Sequence, residues 1–402
     1  MPSALPVGDP APADGCLPPF ALEGAEDRAL ALYVHVPFCA TRCGYCDFNT
    51  YTAQELGSAS STDAYLLAAR SELELAANVL GTSRKLSTVF FGGGTPTLLP
   101  PSELAGLLDA VAARFALAPA VEVTTEANPE TVTPEYLDVL RAAGFTRISL
   151  GMQSARPHVL RLLERTHTPG KALECVELAR AAGFEHVSLD LIYGTPGESE
   201  QDWQDSLDAV VSTQVDHVSA YALVVEDGTA MARKVASGVL EAPQDDVLAE
   251  RYVMADETLA AAGFGWYEVS NWAKGDAGRC RHNELYWRNA DWWGIGPGAH
   301  SHVGGVRWWN VKHPAAYSTA LGQGHSPAAG REVLDATARR LEQVLLETRL
   351  VEGMAVDDAM DARALGQLAS EGLIEPAALA DAQVVLTLTG RLLADRVVRE
   401  LT

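Results

Sequence analysis

Residues 35–48 read HVPFCATRCGYCDF and carry Cys39, Cys43 and Cys46 in the spacing C-x3-C-x2-C. Thiols this close together converge on one centre. A zinc ion would need a fourth ligand, for which Asp47 and His35 are the nearest candidates. A [4Fe–4S] cluster would need only these three, leaving its fourth iron open for a ligand. The absent fourth cysteine favours the cluster, because an open iron is a reactive position. Cys16, Cys175 and Cys280 are scattered, so the six cysteines make no disulfide framework.

Other residues with chemistry stand after apolar runs. Gly92-Gly93-Gly94-Thr95-Pro96 lets a backbone approach a charged ligand closely, although glycine runs also make plain turns. Glu126 lies in TTEANPE, Gln153 in GMQS, Arg165 in LERTH and Asp190 in LDLIYG. An aspartate inside an apolar run is costly without a partner, which marks Asp190 as functional. Farther on, residues 282–287 read HNELYW, amid seven of the eight tryptophans: Trp266, Trp272, Trp287, Trp292, Trp293, Trp308 and Trp309. Flat apolar rings suit a porphyrin face and histidine is a common axial ligand. The plainer alternative is an aromatic mini-core with His282 as a hydrogen-bonded cap.

These residues require a scaffold that gathers strand ends. LALYVHV (30–36), STVFF (87–91) and AVEVTTEAN (120–128) read as strands. Residues 63–80, with Asp63 as cap, and 102–115 read as helices. Ala-Ala-Gly-Phe recurs at 142–145, 181–184 and 261–264, each time before a strand-like run: TRISLGMQ, EHVSLDLIYG and WYEVSNW. The glycine caps a helix and the following residues enter a sheet. Alternating strands and helices predict a parallel sheet, curved or closed, with helices outside and the chemistry on the rim of strand C-terminal ends. The domain reading is a disordered Pro/Ala/Gly-rich tail (1–28), a barrel (29–270), a Trp-rich connecting segment (271–312) and a small helical, winged domain (313–402).

A net charge of -23 opposes phosphate backbones and argues against nucleic-acid binding. No apolar run reaches membrane-span length. The proline-broken start, MPSALPVGDPAPADG, does not look like a signal peptide, so a cytoplasmic location is expected.

The cysteine loop, Tyr45 before its last cysteine and the GGGTPT run together resemble the radical S-adenosylmethionine (SAM) enzymes, over residues 30 to about 400. The resemblance implies an α/β fold, a partial TIM-like (β/α) barrel with a small C-terminal helical, winged domain. It implies a [4Fe–4S] cluster on Cys39, Cys43 and Cys46, whose open iron chelates SAM. One electron from the cluster then cleaves the sulfonium. It also implies SAM contacts from Tyr33, Gly93, Gly94, Thr95, Glu126, Gln153, Arg165, Asp190 and Ala222. Within the superfamily, VHVPFC, GGGTP and DLIYG are similar to two groups, the oxygen-independent coproporphyrinogen III oxidases and the HemW-type heme chaperones. The oxidases carry a fourth cysteine two places after the third, where this chain has Phe48. HNELYW matches the heme-associated signature of the chaperones, which implies heme contacts from His282, Asn283, Tyr286 and Trp287. Cys280 and His300 are alternative iron ligands. The expected function is therefore heme binding and transfer to acceptor proteins, with radical decarboxylation of coproporphyrinogen as the alternative. A non-catalytic iron–sulfur or zinc protein would have no use for GGGTP, Glu126 and Asp190. Expected partners are heme and heme-acceptor proteins, with a homodimer left open.

Overall fold

The computed structural model describes residues 8–57, 61–81, 83–165 and 168–402. Its frame is one sheet of twelve strands. Six strands run parallel in sequence order: β1 (Leu30–Val36), β2 (Lys85–Gly93), β3 (Ala116–Ala127), β4 (Arg147–Gln153), β5 (His186–Tyr193) and β6 (His217–Ala222). Helices cross between them, including Thr62–Leu80, Pro101–Arg114 and Lys171–Ala181. The fold is α/β, as expected.

Strand β4 shows why this sequence makes such a sheet. Every residue of RISLGMQ is buried, as in a parallel strand covered on both faces. Ile148, Leu150 and Met152 belong to the apolar core, while Arg147, Ser149, Gly151 and Gln153 line an interior cavity. Alternation with period two thus separates core from cavity. The Ala-Ala-Gly-Phe phrases act as read from sequence. Gly144, Gly183 and Gly263 hold φ of +107°, +86° and +83°, and Phe145, Phe184 and Phe264 are buried. The long helix at 62–80 is capped by Ser61, whose Oγ accepts from Ala64 N at 3.1 Å, rather than by Asp63.

The edges of the sheet depart from expectation. WYEVSNW is not another parallel strand. Ser270, at φ +81°, turns it into a hairpin of β7 (Gly265–Glu268) and β8 (Asn271–Ala273), and β8 lies antiparallel on β6. The expected connecting segment at 271–312 supplies sheet strands. β9 (Asp291–Ile295) adds parallel to β1, and β10 (His300–Val303) and β11 (Val306–Asn310) follow antiparallel. β12 (Ala328–Val333) closes that edge. The final unit consequently starts near residue 336 rather than 313. Tyr317 is fully buried and its hydroxyl donates to Glu72 at 2.6 Å, inside the main core. A separate core then forms from Val344 to Leu401, with a two-stranded wing of β13 (Met354–Ala355) and β14 (Gln383–Val384). Arg391 ties this unit to the sheet domain, pairing with Asp256 at 2.8 Å and covering the Trp266 ring.

The tail is corrected too. Its first seven residues lie outside the described residues, but residues 8–28 are held to the sheet at several points. Asp9 and Arg331 exchange backbone hydrogen bonds of 2.8 and 2.9 Å, and Ala21 is fully buried. Arg28 joins Arg84 on Asp291, at 3.0 and 2.8 Å. The partners of this segment lie some three hundred residues away, so its composition alone could not reveal them.

Candidate functional site

A cavity of about 460 Å³ opens among the C-terminal strand ends and runs down the inside of the sheet. Its wall contains Cys39, Cys43, Cys46, Gly93, Gly94, Thr95, Glu126, Gln153, Arg165, Asp190 and Ala222. Of the residues expected to meet SAM, only Tyr33 is off that wall; its hydroxyl pairs with His35 Nδ1 at 3.0 Å, against Phe90.

The cysteine loop leaves β1 and is pinned at both ends. Cys39 N donates to Tyr51 O at 3.0 Å, and Tyr51 N donates to Pro37 O at 2.7 Å. The glycine run lies directly against it. Gly94 N donates to Val36 O and Thr95 N to Phe38 O, both at 2.8 Å. A Cβ on Gly94 would stand 2.4 Å from Phe38 O, so glycine is required for the two segments to meet. Cys39, Cys43 and Cys46 are half-buried, and burial pushes the Cys39 thiol up and that of Cys46 to about 12. Among the described residues, no three His, Cys, Asp or Glu side chains converge on one ion position. Three thiols on one wall, with an open cavity before them, fit a cluster.

The same cavity wall carries two half-buried carboxylates, Glu126 and Asp190. Glu126 Oε2 accepts from Gly93 N at 3.0 Å, and Asp190 Oδ1 accepts from Ser149 Oγ at 2.9 Å. Burial raises Asp190 to about 6; burial and then the Asp190 charge raise Glu126 to about 8. Such a pair suits a cationic ligand that would restore both charges. Gln153 completes the rim with φ +65°, a conformation that costs a non-glycine residue energy and clusters at functional sites.

The raised pKa has a consequence for stability. Folded Glu126 holds a proton up to about 8, whereas the unfolded side chain releases it near its ordinary value of about 4.3. Stability contributed by this group is therefore lost as pH rises between those two values and is flat above them. Glu126→Gln should remove that decline and raise the Tm of the cluster-free protein at pH 8. Thermal melts across this pH range check it; parallel wild-type and variant curves would refute it.

Arg147, Ser188, His217 and Ser219, which sequence reading passed over, line the lower cavity together with Cys280 and Asn283. A signal existed: polar residues at every second position of buried strands, as in Ser188/Asp190 and His217/Ser219. Of HNELYW, Asn283 reaches this part of the wall. Its helix, Arg281–Trp287, is held by Glu122, which accepts from His282 N at 3.0 Å and pairs with Arg147 at 3.1 Å.

The expected heme residues lie in and around this helix. His282 is buried, and both ring nitrogens are taken, Nδ1 by Thr88 Oγ1 at 2.7 Å and Nε2 by Tyr286 OH at 2.9 Å. It stacks on Phe90, and burial lowers it to about 3. In this structure the ring is packed and neutral, with both nitrogens engaged. Of this set only Asn283 reaches the cavity wall; Tyr286 and Trp287 do not. Of the alternative ligands, Cys280 is buried beside Glu122 and His300 is exposed on β10. Trp266 and Trp272 lie at one end of the sheet and Trp292, Trp293, Trp308 and Trp309 toward the other, with Trp272, Trp293, Trp308 and Trp309 buried; Trp287 is on the helix.

Three thiols after the first strand of a parallel α/β sheet, with a glycine turn and strand-end carboxylates opposite, define a radical SAM protein. Residues 33–210 match the model of the radical SAM superfamily. A Mycobacterium tuberculosis protein named heme chaperone HemW is 55% identical over 376 residues, covering 93% of this chain and 95% of that one. The Bacillus subtilis heme chaperone HemW is 32% identical, over 91% and 97% of the two chains. Coproporphyrinogen III oxidase (HemN) from Escherichia coli, a radical SAM enzyme, matches in structure with TM-score 0.80 at 25% identity, over 94% of this chain and 91% of that one. The chain belongs to the HemW family of radical SAM proteins.

Proposed function

We propose that this protein is a heme chaperone. It binds a [4Fe–4S] cluster through Cys39, Cys43 and Cys46, binds SAM against Glu126, Gln153 and Asp190, and passes heme to acceptor proteins in the cytoplasm. The cluster supplies one-electron chemistry when bound. The chain's own residues pin the cysteine loop and offer two carboxylates to a cationic ligand.

The observation that carries the heme reading is Phe48. It stands where the oxidases place a fourth cysteine, and it is 57% exposed at the cavity mouth. Tyr221 and Val224 are exposed on the same mouth. An apolar lip of this kind suits a flat apolar disc, whose burial supplies affinity. The relatives named heme chaperones support the same reading.

Two measurements on the reconstituted protein test it. Heme titration should saturate at about one heme per chain, as a single formed site requires. Val224→Asp should weaken that binding, while His282→Ala should lower thermal stability and leave the Soret band of the complex in place. Coproporphyrinogen should show no turnover. Robust conversion to protoporphyrinogen, or heme binding without saturation, would overturn the proposal.

A further inference from the structure

Arg165 touches a cysteine. Its Nη1 donates to Cys43 Sγ at 3.4 Å, and its Nη2 donates to Gly151 O at 3.2 Å. The remaining guanidinium nitrogen, Nε, is buried without a hydrogen-bond partner among the described residues. The surroundings are shaped to hold this contact. A Cβ on Gly151 would lie 2.5 Å from Nη2, so glycine makes the notch that admits the guanidinium. The preceding residue, Glu164, sits at φ +56°, a conformation that a non-glycine residue adopts only under constraint. Gly44 N donates to Leu163 O at 3.2 Å, joining the cysteine loop to the segment that carries the arginine. A Cβ on Gly44 would meet the Glu164 carboxyl carbon at 2.9 Å. Two glycines, one strained backbone and one cross-hydrogen bond thus fix a cation against one thiol of the three.

We propose that Arg165 sets the reduction potential of the iron–sulfur centre through its hydrogen bond to the Cys43 sulfur. The inference rests on the cluster assignment made above. Reduction adds one electron from an external donor, with no bond made or broken and no proton moved. The added negative charge spreads onto the ligand sulfurs. A fixed guanidinium at hydrogen-bond distance favours the more negative state, and hydrogen bonds to ligand sulfurs are among the levers that set these potentials. Arg165 therefore makes the centre easier to reduce. It acts as a tuning residue on Cys43, apart from any contact with SAM.

The experiment is an EPR-monitored redox titration with dithionite as the donor, without SAM, so that lost SAM contacts do not enter. Iron and sulfide are quantified in each sample. Arg165→Met should retain the iron content and shift the midpoint to a more negative potential. Arg165→Lys, which keeps a cation without the planar fork, should fall between that variant and wild type. Gly151→Ala keeps the arginine and displaces its guanidinium, and should shift the midpoint in the same direction. If Arg165→Met does not load iron, Gly151→Ala decides on the same criterion. Full iron content with a wild-type midpoint in the deciding variant would overturn the proposal. Wild-type protein that takes up no iron and sulfide would overturn the cluster assignment instead, and this inference with it.

Discussion

Alanine in place of Cys39, Cys43 or Cys46 should abolish the iron–sulfur absorption of the anaerobically reconstituted protein, each change alone being sufficient. All three thiols line one wall of one cavity. A cluster held by three irons has no spare protein ligand, so losing one thiolate leaves two of its irons open to solvent. The remaining cysteines provide the control. Cys16 is exposed near the N-terminus and Cys175 is buried in the helix Lys171–Ala181 beside Pro129 O, so serine or alanine there should leave iron loading at the wild-type level. Iron and sulfide quantitation, with the visible spectrum, reads the result. A single cysteine variant that retains a full cluster would remove that residue from the site.

Glu122→Ala should be the most damaging single change outside the thiols. Glu122 and Arg147 are both almost fully buried and form an ion pair at 3.1 Å. Arg147 also donates to Gly278 O and Arg279 O at 3.0 and 2.7 Å, and Glu122 accepts from the backbone N of Arg281 and His282. The pair therefore fastens the HNELYW helix beneath the cavity. Removing the carboxylate leaves a buried guanidinium uncompensated, a loss of about 3–5 kcal/mol. Arg281 approaches the same carboxylate at 3.9 Å but is half exposed, so Arg281→Ala should cost less than about 1 kcal/mol. Denaturant unfolding of the cluster-free proteins compares the two. Equal stabilities for Glu122→Ala and wild type would show that the HNELYW helix holds without this pair.

Much of the upper site was legible along the chain because its signals are local. A three-thiol loop, a glycine run and an acid at the end of an apolar strand each declare themselves within a few residues. Asp190 illustrates this: a carboxylate in LDLIYG demanded a partner, and Ser149 provides one. HNELYW was equally visible as a pattern, but its role was not. His282 reads as a ligand, and its Nδ1 is engaged by Thr88, 194 residues earlier. Arg165 was read for SAM, and its contact with Cys43 spans 122 residues.

The sequence alone therefore determined the α/β class, the strand-end location of the chemistry and the three thiols. Helical capping, period-two burial and ligand spacing act between near neighbours, and they survive reading in one dimension. The tertiary structure alone decided which strands became neighbours at the sheet edges, where WYEVSNW turned back as a hairpin and 291–310 joined β1. It also paired Asp9 with β12, joined Glu122 and Arg147 beneath the cavity in a buried ion pair, and engaged both ring nitrogens of His282. These outcomes depend on pairings between segments far apart in the chain. The free energy of such contacts comes from excluding water between surfaces that are brought together only by the folded whole.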